Sequence, residues 1–267
     1  MLTPDQIASA AARLDESERT RKQIRMLSLE HPGMDMADAY AVQKAWIEMK
    51  IKAGRIVRGH KIGLTSKAMQ LALNIDIPDS GYLLDDMFFA DGATIPTDRF
   101  IGLRIEAEVA FVLKAPLSGP NCTLFDVLNA TDYVIPALEI LDTRILRVDP
   151  ETKKTRTIVD TIADNAANCG IVTGGRPIRP DAADLRWIGA IVSKNGAVEE
   201  TGLAAGVLNH PGNGVAWLAN RMAEHGGALK AGETVLAGSF IRPIETAKGD
   251  TIVADYGPYG TVSCYFG

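Results

Sequence analysis

The chain has 267 residues, of which 46% are hydrophobic and 23% charged, and its formal net charge is −5 at pH 7. This balance is typical of a folded globular protein and argues against a polyanion-binding or nucleic-acid-binding surface. No apolar run reaches the roughly 18–20 residues of a membrane span, and the N-terminus lacks a secretory signal pattern, so we expect no membrane contact.

The first elements along the chain are predicted to be helices. Thr3 and Pro4 form an N-cap followed by proline at the first helical position. A second helix is predicted from about Asp35 to Gly54, because an apolar stripe recurs there at helical spacing. The intervening HPGMD, residues 31–35, is predicted to turn.

After Gly54 the pattern changes to short β-rich runs broken by Gly, Pro, Asn and Asp. Asn195-Gly196 between two such runs predicts a hairpin. A helix is predicted within 211–225, with Gly226 as its C-terminal stop. The predicted strands cover 55–64, 102–113, 132–141, 168–174, 187–201, 233–238, 251–257 and 261–266.

Strands outnumber helices and hairpins join some of them, which argues against a regular β/α barrel. We therefore expect an α+β fold in which a small helical region, residues 1–60, precedes a larger mixed-sheet domain, residues 61–267. The three cysteines are far apart and form neither a disulfide framework nor a zinc pattern, so we expect a reducing, cytoplasmic location.

Two glutamates lie within the apolar run RIEAEVAFVL, residues 104–113. Alternate residues from 103 to 111 are all apolar, whereas Glu106 and Glu108 share the other strand face, with Cα atoms roughly 6.5–7 Å apart. Glu139 lies in a similarly apolar run, PALEIL. Burying an ionised carboxylate without a partner costs several kcal/mol, so these groups need positive charge nearby or exposure to water.

Three explanations are open at this point. Arg104, on the same face as the first two glutamates, and Arg144, shortly after Glu139, could neutralise the charge. The glutamates could instead lie on the solvated face of an edge strand. Alternatively, the carboxylates could bind a divalent metal, and an all-oxygen ligand set favours the hard ions Mg²⁺ or Mn²⁺.

Other polar residues have both structural and functional interpretations. Lys61, in GHKIGLTS, could line a site as an acid, a base or an anion ligand, or could be a solvated strand lysine. Asp79 follows a proline in IPDSGYLLDDM, where simple turn chemistry is the alternative to function, and the same alternative applies to Asn165.

Several segments together resemble the hydratase/decarboxylase group of the fumarylacetoacetate hydrolase superfamily. The resemblance covers nearly the whole chain, and the combination is more specific than any one segment. The segments are GHKIGLTS, IPDSGYLLDDM, IEAEVAFVL, PALEILD, DNAANCGIVTG, GVLNHPGNGVAWLANRM and, near the C-terminus, AGSFIRPIETAKGDTIVADYGPYGTVSCYF.

The resemblance implies a mixed β-sandwich roll and a divalent metal, Mg²⁺ or Mn²⁺, held by Glu106, Glu108 and Glu139. It implies that Lys61 and Asp79 line the substrate pocket, where we expect them to transfer protons. The implied activity is hydration of a 2-hydroxy-2,4-dienoate or its 2-oxo tautomer in the breakdown of aromatic compounds, and the C-terminal segment favours a seven-carbon dioate of homoprotocatechuate breakdown.

Further residues are implied or expected to contact the substrate. The resemblance extends to Asn165 and Ser239 as substrate ligands. A seven-carbon dioate would need a cation for its distal carboxylate, and Arg25, Arg58 or Arg242 could supply it. Homo-oligomers are expected from the resemblance, with a pathway decarboxylase or isomerase as a further partner.

Alternative activities remain open. A 4-oxalocrotonate-type decarboxylase and a 2-hydroxypentadienoate hydratase share the same motifs. A C–C hydrolase is disfavoured because no recognisable His–Glu motif precedes the metal-site segments, and a non-catalytic metal-binding subunit is the remaining alternative.

Overall fold

The computed structural model describes residues 1–67, 70–71 and 77–267. Within these ranges helices and strands alternate irregularly, which confirms the α+β fold class. The helices described are α1 (Pro4–Thr20), α2 (Leu27–Glu30), α3 (Met36–Lys52), α4 (Leu124–Ala130), α5 (Ile158–Ala163) and α6 (Pro211–Ala223). In this part of the chain no helix has the length and apolar character needed to cross a membrane.

The two long N-terminal helices begin where their capping residues predict. Thr3 caps α1 in a capping box with Gln6, and Asp35 caps α3 in a capping box with Asp38. Both boxes satisfy backbone N–H groups that have no partner within the helix. The predicted C-terminal stop of α6 is also confirmed, because the helix ends at Ala223 and Gly226 adopts a φ of +71°.

In the described parts of the chain, thirteen strands form two sheets. Most of them fall within the β-rich runs, and Asn195-Gly196 forms the predicted hairpin with positive φ at both residues. The strands are β1 (Val57–Gly63), β2 (Asp79–Leu84), β3 (Phe88–Ala90), β4 (Ala93–Ile95), β5 (Arg104–Leu113), β6 (Thr131–Leu141), β7 (Asn168–Thr173), β8 (Gly189–Lys194), β9 (Ala197–Leu203), β10 (Thr234–Leu236), β11 (Ile244–Glu245), β12 (Thr251–Asp255) and β13 (Thr261–Phe266).

The eight-stranded sheet follows the order β2-β1-β10-β5-β6-β7-β3, with β11 also paired to β5. The five-stranded sheet follows the order β4-β13-β12-β8-β9. Because β5 and β6 both lie inside the larger sheet, the edge-strand explanation for their glutamates is wrong. Asp79 begins β2 and is not a turn residue, because β2 pairs with β1 along its whole length.

The N-terminal helices have a hydrophobic cluster of their own. Leu14, Met26, Val42 and Trp46 pack there with residues from the β6–β7 connection, such as Ile162. A larger cluster joins residues of both sheets and α6. The helical layer thus packs against the connection that follows β6, while the predicted boundary between 1–60 and 61–267 stays a prediction.

Candidate metal centre and neighbouring lysine

Three carboxylates converge on one point at the middle of the larger sheet. The antiparallel β5–β6 register places Glu106 directly opposite Glu139, and Glu108 follows two residues along β5. One oxygen from each carboxylate lies within 4.8 Å of the others. Glu108 and Glu139 are only 1% and 0% exposed, so this is an interior cluster of acids.

The oxygens of this cluster are poorly satisfied by the protein. Glu108 Oε1 and both Glu139 oxygens are buried without a hydrogen-bond partner in the described part of the chain. Buried carboxylate oxygens in this state are rare, because leaving them unpaired is costly. A hard divalent cation with oxygen ligands fits this donor set.

The backbone around the cluster is held by groups that sequence patterns did not reveal. The Gly238 N–H donates to Glu108 Oε2 at 2.8 Å. Gly238 has a φ of +115°, and a Cβ there would lie 2.2 Å from Thr65 Oγ1, so both conformation and space require glycine. The buried Tyr256 hydroxyl lies 2.9 Å from the Glu108 carbonyl oxygen and 2.6 Å from that of Ala137, which ties β5 to β6.

Lys61 is the cation that faces these acids. Its Nζ lies 3.3 Å from Glu139 Oε1 and donates a hydrogen bond of 3.1 Å to the Ala166 carbonyl. Asp79 is aligned with Gly63 across the β1–β2 pair. A Cβ at Gly63 would lie 2.2 Å from Asp79 Oδ1 and 3.0 Å from Lys61 Nζ, so the glycine leaves the space into which both side chains reach.

Burial and mutual repulsion set the protonation of the acids. Burial, reinforced by Glu139, raises the pKa of Glu106 to about 8 although Lys61 opposes the change. Burial also raises the pKa of Glu108 and of Glu139, with Lys61 again opposing. The pKa of Asp79 is raised by burial and held back by Lys61 and Arg156.

For Lys61, attraction by nearby charges outweighs the effect of burial on the pKa. Burial alone would lower its pKa, but the attraction of Glu139, Asp79 and Glu108 outweighs burial and raises the pKa above the usual lysine value. The lysine is therefore an ammonium at neutral pH. Four carboxyl groups share this one cation, so ionising all of them would leave an excess of negative charge that a divalent ion would reduce.

Asn165 belongs to an unusual left-handed turn beside Lys61. Asn165, Ala166 and Ala167 have φ values of 51°, 51° and 59°, a region that is costly for residues with a Cβ. The Asn165 side chain accepts from the Tyr82 N–H at 2.8 Å and donates to the Tyr82 carbonyl at 3.0 Å. This double contact fixes the turn to β2 and directs the Ala166 carbonyl at Lys61.

The arginines proposed to neutralise the glutamates pair elsewhere. Arg144 Nε lies 2.5 Å from Asp164 Oδ1, and Arg104 Nη2 lies 2.9 Å from Glu245 Oε1. Among the described residues, Lys61 is the ion-pair partner of Glu139. The explanation that Arg104 and Arg144 neutralise the glutamates is therefore wrong. Strand pairing brings Lys61 to Glu139, while each arginine pairs with another carboxylate.

The remaining predicted substrate ligands lie in different settings. The Ser239 hydroxyl contacts the backbone of Ile241, one residue after the Gly238 that holds Glu108. Arg25 pairs with Asp149 and Glu151.

The two other arginines considered for the distal carboxylate are exposed. Arg242 pairs with Glu200, and Arg58 lies at the irregularity where the β1–β2 register shifts between Val57 and Gly59. Their roles in substrate binding stay predictions.

The structure also brings one histidine to a glutamate. His60 Nε2 lies 3.7 Å from Glu233 Oε2, and both side chains are buried. Burial lowers the pKa of His60 to about 4, so the imidazole is neutral at pH 7. His60 is adjacent to Lys61 on β1 and thus faces away from the carboxylate cluster.

Comparisons with known proteins find relatives that cover nearly the whole chain. No model of a known protein family matches the chain. The chain is 61% identical to the 2-oxo-hept-4-ene-1,7-dioate hydratase of Escherichia coli over 96% of both chains. It is 40% identical to the 2-keto-4-pentenoate hydratase of Paraburkholderia xenovorans strain LB400, over 99% of this chain and 96% of that one.

A solved structure resembles the whole chain. It is 4-oxalocrotonate decarboxylase from Pseudomonas putida G7, complexed with magnesium and adipate, which matches with a TM-score of 0.94 and 37% identity. The alignment covers 100% of this chain and 99% of that one.

Proposed function

The chain belongs to the hydratase and decarboxylase group of the fumarylacetoacetate hydrolase superfamily, and we propose that it is a divalent-metal-dependent hydratase acting on 2-oxo-hept-4-ene-1,7-dioate. The observation that carries the proposal is the convergence of Glu106 with the buried Glu108 and Glu139, whose oxygens lack hydrogen-bond partners among the described residues, beside the Lys61 ammonium. The 61% identity to a hydratase of this name supports hydration over the other activities of the group.

The three glutamates would hold the metal, Mg²⁺ or Mn²⁺. When bound, such an ion supplies a Lewis acid for the 2-oxo group and an anchor for the adjacent carboxylate. The remaining steps belong to side chains. Hydration moves a proton to carbon and adds hydroxyl at the conjugated position, so the site needs a proton carrier and a charge that stabilises developing negative oxygen.

Lys61 and Asp79 are suited to these tasks. The Lys61 ammonium is fixed by the Ala166 carbonyl and Glu139, so it can stabilise negative charge on a bound oxo-acid. Asp79 has a buried Oδ1 without a partner and a raised pKa, both of which favour exchange of a proton with substrate or water. Asn165 fixes the turn that carries the carbonyl, and Ser239 adjoins the loop that holds Glu108.

The decisive experiment uses 2-hydroxyhepta-2,4-diene-1,7-dioate and Mg²⁺. We expect loss of the dienol absorbance and a product heavier by one water, both abolished by EDTA. Release of CO₂ instead would assign the protein to decarboxylation while retaining the metal. Full activity after exhaustive chelation, with metal content verified, would reject the metal-dependent mechanism.

The proposal includes a cellular setting. We infer a cytoplasmic homo-oligomer that works in homoprotocatechuate breakdown beside a decarboxylase or isomerase. Cys122, Cys169 and Cys264 are buried free thiols, and free thiols are typical of proteins in a reducing location. Size measurement in solution and growth of a deletion strain on homoprotocatechuate test the two parts separately.

A further inference from the structure

Three arginines gather beside the carboxylate cluster. Arg104 lies on β5 two residues before Glu106, on the same strand face and with its Cα roughly 6.5–7 Å away. Arg147 and Arg156 are neighbours across the segment that follows β6, where the Arg156 N–H donates to the Arg147 carbonyl at 2.9 Å. We call Arg104, Arg147 and Arg156 the arginine cluster.

The arginine cluster carries more positive charge than its partners neutralise. Arg104 Nη2 and Arg147 Nη1 lie 2.9 Å and 3.9 Å from the same atom, Glu245 Oε1. The Glu245 side chain is 78% exposed, so solvent screening weakens its electrostatic attraction to Arg104 and Arg147. Arg156 donates to the Thr143 hydroxyl at 2.6 Å and forms no ion pair with any described residue.

Two donors of the cluster are unused. The Nε atoms of Arg104 and Arg147 are buried and have no hydrogen-bond partner among the described residues. A buried guanidinium N–H without an acceptor is costly, and an incoming carboxylate satisfies it with the planar, two-oxygen geometry that arginine prefers.

The acids near the cluster are committed to other groups. The Asp142 carboxylate accepts three backbone N–H groups, from Ile101, Gly102 and Thr143. Asp164 is bound by the side chain and backbone of Arg144. Among the described residues, the exposed Glu245 is therefore the carboxylate within ion-pair distance of the cluster.

Like-charge crowding in the cluster also affects Arg147. Burial, with the nearby charges of Arg104 and Arg156, lowers the pKa of Arg147 to about 10. An anion bound between the three guanidinium groups would relieve this repulsion.

The arginine cluster borders the site at two points. Arg104 is a positive neighbour of Glu106, and Arg156 is a positive neighbour of Asp79. The strand spacing between Arg104 and Glu106 is comparable to the separation of the two carboxyl groups in an extended seven-carbon chain. Arg25 and Arg242 pair with Asp149 and Glu200, whose side chains are 1% and 17% exposed, whereas the carboxylate paired with the arginine cluster is the 78% exposed Glu245.

We propose that the arginine cluster binds the distal carboxylate of a dicarboxylate substrate and thereby selects dioates over monocarboxylate dienoates. This inference rests on the proposed function, because it assumes that the substrate's other end lies at the three glutamates.

The test compares two substrates in two variants. Turnover is measured for the seven-carbon 2-hydroxyhepta-2,4-diene-1,7-dioate and for 2-hydroxypenta-2,4-dienoate, which lacks the distal carboxylate. In Arg147→Gln we expect kcat/KM for the dioate to fall about tenfold to a hundredfold, mainly through KM, with little change for the monoacid. Arg156→Gln should show the same fall for the dioate and a smaller loss for the monoacid, because Arg156 also holds back the pKa of Asp79. Arg186→Gln removes an exposed arginine that pairs with Asp184 and is the control.

A binding measurement separates this inference from the proposed function. Calorimetry with Mg²⁺-loaded protein compares pimelate with heptanoate, which differ only in the distal carboxylate. A pimelate preference that disappears in Arg147→Gln supports the arginine cluster even if neither dienol is turned over, an outcome that would reject the hydratase proposal alone.

Two results would overturn the inference. One is an equal loss on both dienols in both variants, and the other is an unchanged pimelate preference in both variants. Arg147→Lys retains charge without the forked donors and is expected to lose less than Arg147→Gln, which provides a folded comparison if the glutamine variant is unstable.

Discussion

Glu106 on β5 and Glu139 on β6 lie directly opposite each other, so two acidic side chains enter the same interior space from neighbouring strands. In an antiparallel pair, like charges at this position destabilise the sheet unless a cation separates them. Lys61 supplies one positive charge, and the remaining excess of negative charge leads to the first two predictions.

Neutralising one ligand should weaken metal binding. In Glu106→Gln we expect Mg²⁺ affinity to fall by about tenfold or more, because one of three carboxylate ligands loses its charge. Titration calorimetry and the Mg²⁺-induced rise in Tm measure this directly. Glu199→Gln, an exposed position on β9, is the control; identical Mg²⁺ binding by both variants would contradict the assignment of Glu106.

The stability of the metal-free protein should fall as pH rises. The pKa of Glu106 is about 8 in the folded protein and near its ordinary value of 4.5 when unfolded, so between these values the folded state binds more protons. The stabilisation is complete below about pH 4.5 and is lost as pH rises towards 8. We expect a loss of a few kcal/mol, measured by urea unfolding in EDTA.

The same unfolding series provides its own controls. Glu106→Gln should reduce the pH dependence without abolishing it, because one of three carboxyl groups with a raised pKa is gone while Glu108 and Glu139 remain. Saturating Mg²⁺ should flatten the pH dependence, since the ion favours the ionised carboxylates. A metal-free wild-type protein whose stability increases from pH 5 to 8 would contradict the raised pKa.

Removing the Lys61 ammonium should slow turnover without removing the metal. In Lys61→Met we expect kcat to fall about 10²-fold to 10⁴-fold, the range typical for loss of a positioned proton-transfer or charge-stabilising group. Mg²⁺ affinity should stay the same or rise, because a positive charge near the ligands is lost. Lys44→Met alters an exposed lysine of α3 and should leave kcat unchanged.

Filling the space at Gly63 should disturb the acid–base pair specifically. In Gly63→Ala the new Cβ would lie 2.2 Å from Asp79 Oδ1, so Asp79 and the nearby Lys61 must move. We expect kcat to drop at least about tenfold, since small displacements of positioned groups are costly. Gly33→Ala meets nothing within 4 Å and is the matched control; equal kcat in the two variants would show that Asp79 and Lys61 tolerate displacement.

Breaking the buried Arg144–Asp164 pair should destabilise the fold. Both side chains are at most 1% exposed, so Arg144→Met leaves an uncompensated buried carboxylate. We expect a loss of about 3–5 kcal/mol in the free energy of unfolding. Arg13→Met breaks a half-exposed pair with Glu30 and should cost no more than about 1 kcal/mol. Equal losses of unfolding free energy in Arg144→Met and Arg13→Met would show that breaking the buried pair costs no more than breaking the exposed one.

Sequence patterns predicted the individual helices and strands better than the way in which the strands pair. Alternation along β5 placed Glu106 and Glu108 on one face, and the apolar run around Glu139 marked it as interior. The register that sets Glu106 opposite Glu139 depends on long-range strand pairing, which local patterns do not specify. For the same reason local patterns left open whether Arg104 and Arg144, the arginines nearest in sequence, neutralise the glutamates, and strand pairing shows that they do not.

Backbone features of the site were harder still to predict. The left-handed turn at 165–167 contains two alanines, residues that give no local indication of positive φ. Tyr256 looks like any tyrosine in a β-rich segment, although its hydroxyl joins β5 to β6. In each case a tertiary contact, absent from any sequence window, determines the local geometry.

The contact between Lys61 and the Ala166 carbonyl restricts how this part of the chain can vary in evolution. A carbonyl oxygen is present in every amino acid, so no exchange of the residue-166 side chain can delete the acceptor. A substitution at residue 166 disrupts the contact when the new residue disfavours left-handed backbone, as valine and isoleucine do. We therefore expect variation at this position to be limited by the permitted φ angles and, because Ala166 is buried, by side-chain size, and the polarity of the side chain does not affect the acceptor.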